Sequence, residues 1–269
     1  MQTANDEKYL EILLRAIRIC SKYQPRFGHG NRQGYTLDDF KKIYGRDPFY
    51  NWMGLDDPLM YAAHKAAGGM TSVYRQIGIG CEGIFRSVLQ DSLSLSDKDV
   101  NWSYKTRKVG GKSGTLYLDA RIPFASLANV TAKKRMEKWL SDAASFLDID
   151  SKIHRSLQGV VFEVRQGYKS KDSKRQNADI ANAATAYTKG YLPCVAVLST
   201  QIDEDIALRY RAEKWLILTG ITGRSSSIES VYSFMRQVIG YDLANFFERN
   251  RRQLKREVHN VLVSLLSTK

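Results

Sequence analysis

Cysteine is scarce in this chain. Three occur in 269 residues, Cys20, Cys81 and Cys194, far apart and in no CxxC pair. An odd count cannot close a complete set of internal disulfides, and the spacing argues against a zinc ribbon, so the expected setting is a reducing cytoplasm. His29, His64, His154 and His259 are not at metal-ligand spacing. No apolar run approaches the ~20 residues needed to span a bilayer. The N-terminus, MQTANDEKYLEILLRAIRIC, carries acids ahead of its apolar positions and lacks a small-residue cleavage site. It reads as an amphipathic helix and not as a signal peptide, and no membrane partner is expected. There is no internal repeat and no low-complexity linker, so one integrated α/β domain over 1–269 is expected, with a core of about 71–220 between helical regions 1–70 and 225–269.

Acids are also in deficit, 28 against 41 lysines and arginines, for a net charge of +13. Such an excess points to a polyanionic partner, with nucleic acid first, the alternative being a basic protein that is merely soluble. The 43% hydrophobic content is ordinary for a chain with a substantial core.

What is present is a pair of short apolar segments, Thr115–Ile122 (TLYLDARI) and Gly159–Gln166 (GVVFEVRQ). Both read as strands. Each carries one carboxylate, Asp119 or Glu163, where the apolar pattern stops, and an arginine two positions on, Arg121 or Arg165. Side chains alternate along a strand, so each acid and its arginine share a face. Neighbouring strands would bring the two carboxylates together, and two oxygen donors beside a cation suit a hard ion such as Mg²⁺. Taken singly, either acid also reads as a surface carboxylate answered by the nearby arginine.

Around these strands the pattern predicts helices over about 5–23, 36–44 and 57–67, with Gly68-Gly69 breaking the last, and a longer helix over 71–93 with Glu82 in its middle. Glu82 reads either as near a metal or as paired on its own helix, for instance with Arg86 at i+4. Trp102–Arg107 alternates as a strand, and the Gly110–Gly114 stretch (GGKSG) turns it back into the Asp119 strand. That stretch lacks phosphate-loop spacing and leads into a strand, so it reads as a hairpin turn. A helix over 130–147, the Glu163 strand, a helix over about 176–188, a buried strand over 192–200, a helix over 203–212, a strand over 214–219 and helices over 226–239 and 242–266 follow.

This order resembles the PD-(D/E)XK nuclease core, and more narrowly the type II restriction endonucleases. The resemblance covers roughly 71–200 and implies a central mixed β-sheet flanked by helices. It implies that Asp119 is the first acid, Glu163 the second and Glu82 the helical glutamate, with Asp119 and Glu163 holding Mg²⁺ and Arg165 in the position of the motif lysine. The implied activity is Mg²⁺-dependent, sequence-specific hydrolysis of double-stranded DNA by a homodimer. Two departures stand out: Leu118, not proline, precedes Asp119, and Arg165 replaces lysine. Arginine is a poor proton acceptor at neutral pH, so Lys169 or a substrate phosphate would have to take the proton.

Directly after Glu163 comes RQGYKSKDSKRQN. Lys169, Lys171 and Lys174 suit phosphate contacts, and Arg175, Gln176 and Asn177 suit base edges. Gln24–Gly34, with Arg26 and Arg32, reads as a clamp or recognition arm, and Arg249, Arg251, Arg252, Lys255 and Arg256 line one face of the last helix. The rival readings are a repair or junction nuclease of the same fold and a DNA-binding protein that does not cut.

Overall fold

In a computed structural model the described residues are 5–27, 33–107, 113–167, 182–223 and 226–267. The helices are α1 (Asp6–Arg18), α2 (Leu37–Arg46), α3 (Pro48–Trp52), α4 (Pro58–Leu93), α5 (Asp97–Val100), α6 (Val130–Phe146), α7 (Ser151–Ser156), α8 (182–188), α9 (Glu204–Ala212), α10 (Val231–Phe234) and α11 (Leu243–Leu266). The strands are β1 (Trp102–Arg107), β2 (Ser113–Leu118), β3 (Ala120–Pro123), β4 (Gly159–Arg165), β5 (Tyr191–Val197) and β6 (Leu216–Leu218). The chain groups into two compact units, one of Met1–Gly80 with Arg249–Lys269 and one of Cys81–Glu248.

The first unit is helical. Local chemistry starts its elements: Thr36 and Asp39 form a reciprocal capping box at α2, and Asp47 caps α3 with Pro48 in its first turn. Its core joins Ile17 and Cys20 to Val73, Val261 and Leu265. The expected break at Gly68-Gly69 does not occur, because α4 runs unbroken from Pro58 to Leu93. A β-carbon at Gly68 would collide with the Tyr23 hydroxyl, and one at Gly69 with the Leu265 side chain. The glycines serve close packing, which outweighs their cost of about 1 kcal/mol each in a helix interior.

The second unit is α/β. A mixed four-stranded sheet runs β3-β4-β5-β6, with β3 antiparallel to β4 and β4, β5 and β6 parallel, while β1 and β2 form a separate antiparallel pair. That pair bears out the expected hairpin. All seven residues of β4 are buried, as expected of a strand covered on both faces. On one face Val161 packs with Val195, Val197, Ile206, Tyr210 and Trp215. On the other, Phe162 meets Phe85 of α4 at 5.1 Å and Phe234 at 5.6 Å, ring centre to ring centre. Among the described residues no helix is long and apolar enough to cross a membrane.

The strand expected over Thr115–Ile122 is two strands. β2 pairs with β1, β3 pairs with β4, and Asp119 is the bend between them. The chain changes sheets at the residue expected to carry the chemistry.

Candidate active site

β3 and β4 pair with Ala120 opposite Phe162. Asp119 lies just before that pair, and its amide also bonds to Phe162, so the register is interrupted there and the aspartate sits beside the stretch Phe162–Val164 of β4. Asp119 is held on three sides. Its amide donates to the Phe162 carbonyl at 2.9 Å, Val164 N–H donates to its Oδ2 at 2.8 Å, and Arg86 Nε donates to its carbonyl oxygen at 2.9 Å. The physical cause lies in β4: Val164 is fully buried, and its N–H needs an acceptor beyond the point where the pairing of β3 stops. The Asp119 carboxylate is that acceptor.

Glu163 and Arg165 share the face of Val161, as strand alternation requires. Both are buried, with relative exposures of 6% and 9%. Arg165 Nη2 forms an ion pair with Glu163 Oε1. Beside them on β5, Val195 aligns with Glu163 and Val197 with Arg165, so apolar neighbours enclose the pair and little solvent screens it.

Arg121 does not join this site, contrary to the expectation that it would answer Asp119. Its Nε donates to the Asp99 carbonyl at 2.7 Å and its Nη2 to the Lys98 carbonyl at 2.9 Å, closing the end of α5. The bend at Asp119 ends the alternation that would have paired the two residues. The arginine that touches Asp119 is Arg86, which the sequence offered only as a helical partner of Glu82. Residues four apart share a helix face, so Glu82, partly exposed, lies one turn from the Arg86–Asp119 contact. The structure thus joins Asp119 to Arg86 and to the Val164 amide of β4, and joins Glu163 to Arg165 on the same strand, with Glu82 one turn from Arg86 on α4. Lys169, Lys171, Lys174, Arg175, Gln176, Asn177 and Arg32 lie outside the described residues.

Among the described residues no group of three or more histidine, cysteine, aspartate or glutamate side chains is placed to hold a metal ion. The donor chemistry still fits Mg²⁺, which is commonly held by one or two carboxylates with water and substrate phosphate oxygens and seldom by an all-protein cage. Asp119, Glu163 and the Val164 carbonyl supply that kind of set.

The basic face of α11 divides. Arg249 forms a short ion pair with Asp6, which is fully buried on α1, so this cation is structural. Arg251, Arg252, Lys255 and Arg256 are all exposed.

Comparison of the chain with protein-family models, curated proteins and solved structures finds no match.

Proposed function

We propose that this protein is a Mg²⁺-dependent endonuclease of double-stranded DNA, of the sequence-specific type II restriction kind, working as a homodimer. The observation that carries the reading is the Val164 N–H bond to Asp119 Oδ2, which fixes an aspartate beside the residue that follows Glu163 near the end of a buried strand. The element order supports it: a helix with Glu82, a hairpin, a strand beginning after Asp119, a strand with Glu163, a helix and a buried parallel strand. The net charge of +13 supports a polyanionic substrate.

Asp119, Glu163 and the Val164 carbonyl would hold Mg²⁺, which when bound acidifies water and offsets charge on a phosphate. Arg86 keeps the Asp119 main chain in place. Arg165 keeps Glu163 ionised and oriented, since a buried carboxylate without a cation would favour its neutral form. Hydrolysis requires a water to attack phosphorus, the bond to the leaving oxygen to break, and one water proton to depart. Arg165 is a poor acceptor for that proton, so a substrate phosphate oxygen, or Lys169 in its neutral form, takes it, and the leaving oxygen gains a proton from water.

A second reading, a DNA-binding protein that does not cut, is favoured by one observation. Arg165 stands where a lysine belongs and is engaged by Glu163. Incubation of a plasmid of known sequence with Mg²⁺, followed by sequencing of the ends, separates the readings. Discrete fragments, absent for Asp119→Ala and Glu163→Ala, are expected. A smear would mean cutting without sequence preference, and shifted but intact DNA a binder. DNA neither cut nor shifted would remove the nucleic-acid reading altogether.

A further inference from the structure

The helical unit carries a cleft that the proposed chemistry leaves unused. It has a volume of about 440 Å³ and is lined by Arg15, Arg18, Lys22 and Arg26 with Gln24 and Gln33 among its polar groups, and among the described residues no carboxylate lines it. An adjoining hollow of about 260 Å³ shares Lys22 and Gln24, contains Lys65, and again has no acid among the described residues of its lining. Lys65 is only 7% exposed, its ammonium donates to the Ser267 carbonyl at 3.3 Å, and burial pulls its pKa below the usual lysine value. A cation held in such a place is stabilised by an incoming anion.

The cations of the larger cleft are not equivalent. Arg18 is engaged by Glu257 at 3.2 Å and by Glu11 at 3.4 Å, so its charge is spent within the fold. Among the described residues no ion pair joins Arg15, Lys22 or Arg26, and all three are exposed. Arg15 and Lys22 follow one another along α1 and the tighter turn of Ile19–Lys22. Helical rise separates them by about 10–12 Å along the axis. Duplex DNA carries one negative charge per ~1.7 Å of axis, so a row of that length meets several phosphates. Amides at its edge suit phosphate and sugar oxygens.

We infer that this cleft is a second nucleic-acid contact, in which Arg15, Lys22 and Arg26 hold the phosphate backbone of duplex DNA independently of sequence. The inference rests on the nucleic-acid reading of the chain but not on the cutting chemistry.

The test is fluorescence anisotropy of the full chain with a labelled duplex, in EDTA so that nothing is cut, over a range of salt. The Arg15→Gln/Lys22→Gln/Arg26→Gln variant is compared with a charge-matched variant of the other unit, Lys134→Gln/Lys152→Gln/Arg155→Gln. The slope of log affinity against log salt is expected to fall by about 2–3 in the first variant, with affinity down roughly 100-fold near physiological salt. The second variant is expected to keep the parent slope. A parent that binds, with both variants losing the same amount, would show a response to net charge alone and overturn the cleft. So would a first variant that keeps the parent slope, and in both cases the nucleic-acid reading stands. A parent that binds no duplex at any salt would overturn that reading as well. Unchanged thermal melts of both variants separate lost contacts from lost folding.

Discussion

Val164 and Asp119, 45 residues apart in the chain, are joined by a hydrogen bond of 2.8 Å from the valine amide to the aspartate carboxylate. The side chain proposed to hold a metal therefore also closes the edge of a buried strand, and the two roles can be separated by substitution.

Asp119→Asn retains an acceptor for the Val164 amide, whereas Asp119→Ala leaves a buried donor unsatisfied. The alanine variant is expected to lose about 1–3 kcal/mol of stability in urea unfolding and the asparagine variant much less. Both are expected to lose Mg²⁺-dependent cleavage. Equal stability of the two variants would mean that the bond does not hold the bend.

The buried Glu163–Arg165 pair makes a sharper thermodynamic test. Arg165→Met strands a buried carboxylate and is expected to cost about 3–5 kcal/mol, while Glu163→Met/Arg165→Met removes both charges and is expected to recover most of it. A double-mutant cycle in denaturant measures the coupling, and simple additivity would rule the pair out as a unit.

Arg86 reaches Asp119 through the aspartate carbonyl and not through its carboxylate. Arg86→Leu is expected to lower cleavage roughly 10–100-fold, as loss of a group supporting a metal ligand typically does. Duplex affinity measured in EDTA should hardly move. Unchanged cleavage would show that the Asp119 main chain needs no support from α4.

Arg249 and its neighbours on α11 should behave differently. Arg249→Met leaves Asp6 buried without its cation, and about 3 kcal/mol of stability is expected to go, the lower end for broken buried pairs because Arg249 is 29% exposed. Arg251→Gln and Arg252→Gln, both exposed, are expected to stay within ±0.5 kcal/mol of the parent. Thermal melts of the three variants decide whether Arg249 is a strut or a surface charge.

Alkaline pH is expected to weaken the second unit. Burial pushes the Cys81 thiol from an ordinary 9.0, and the Tyr232 hydroxyl from an ordinary 10.0, up to about 12 in each case. Both groups stay protonated in the folded chain after the unfolded chain has begun to lose those protons. Their stabilising effect is whole below pH 9 and declines as pH rises toward about 12. Urea midpoints taken from neutral pH upward should fall above pH 9, and Cys81→Ala should delay the onset. A flat profile would mean that these groups ionise as readily folded as unfolded.

Short-range rules determined a good part of this protein. Alternation and apolar content in GVVFEVR were enough to locate a strand and to put Glu163 and Arg165 on one face, where they pair, though not to show that the whole strand, Glu163 included, is buried. Three- and four-residue spacing located α1, α6 and α11, and Thr36 marked the start of α2. What the tertiary structure alone decided turns on partners distant in the chain. The apolar segment Thr115–Ile122 is locally a good strand, and only competition between β1 and β4 for its two halves bends it at Asp119. Gly68 and Gly69 look like a helix stop until Tyr23 and Leu265 occupy the space a side chain would need. Arg121 is the nearer arginine in sequence, yet Arg86, 33 residues away, makes the contact with Asp119. Propensity and periodicity act over a few residues, whereas the demand of a buried N–H or C=O for a partner is met by whatever the fold brings alongside.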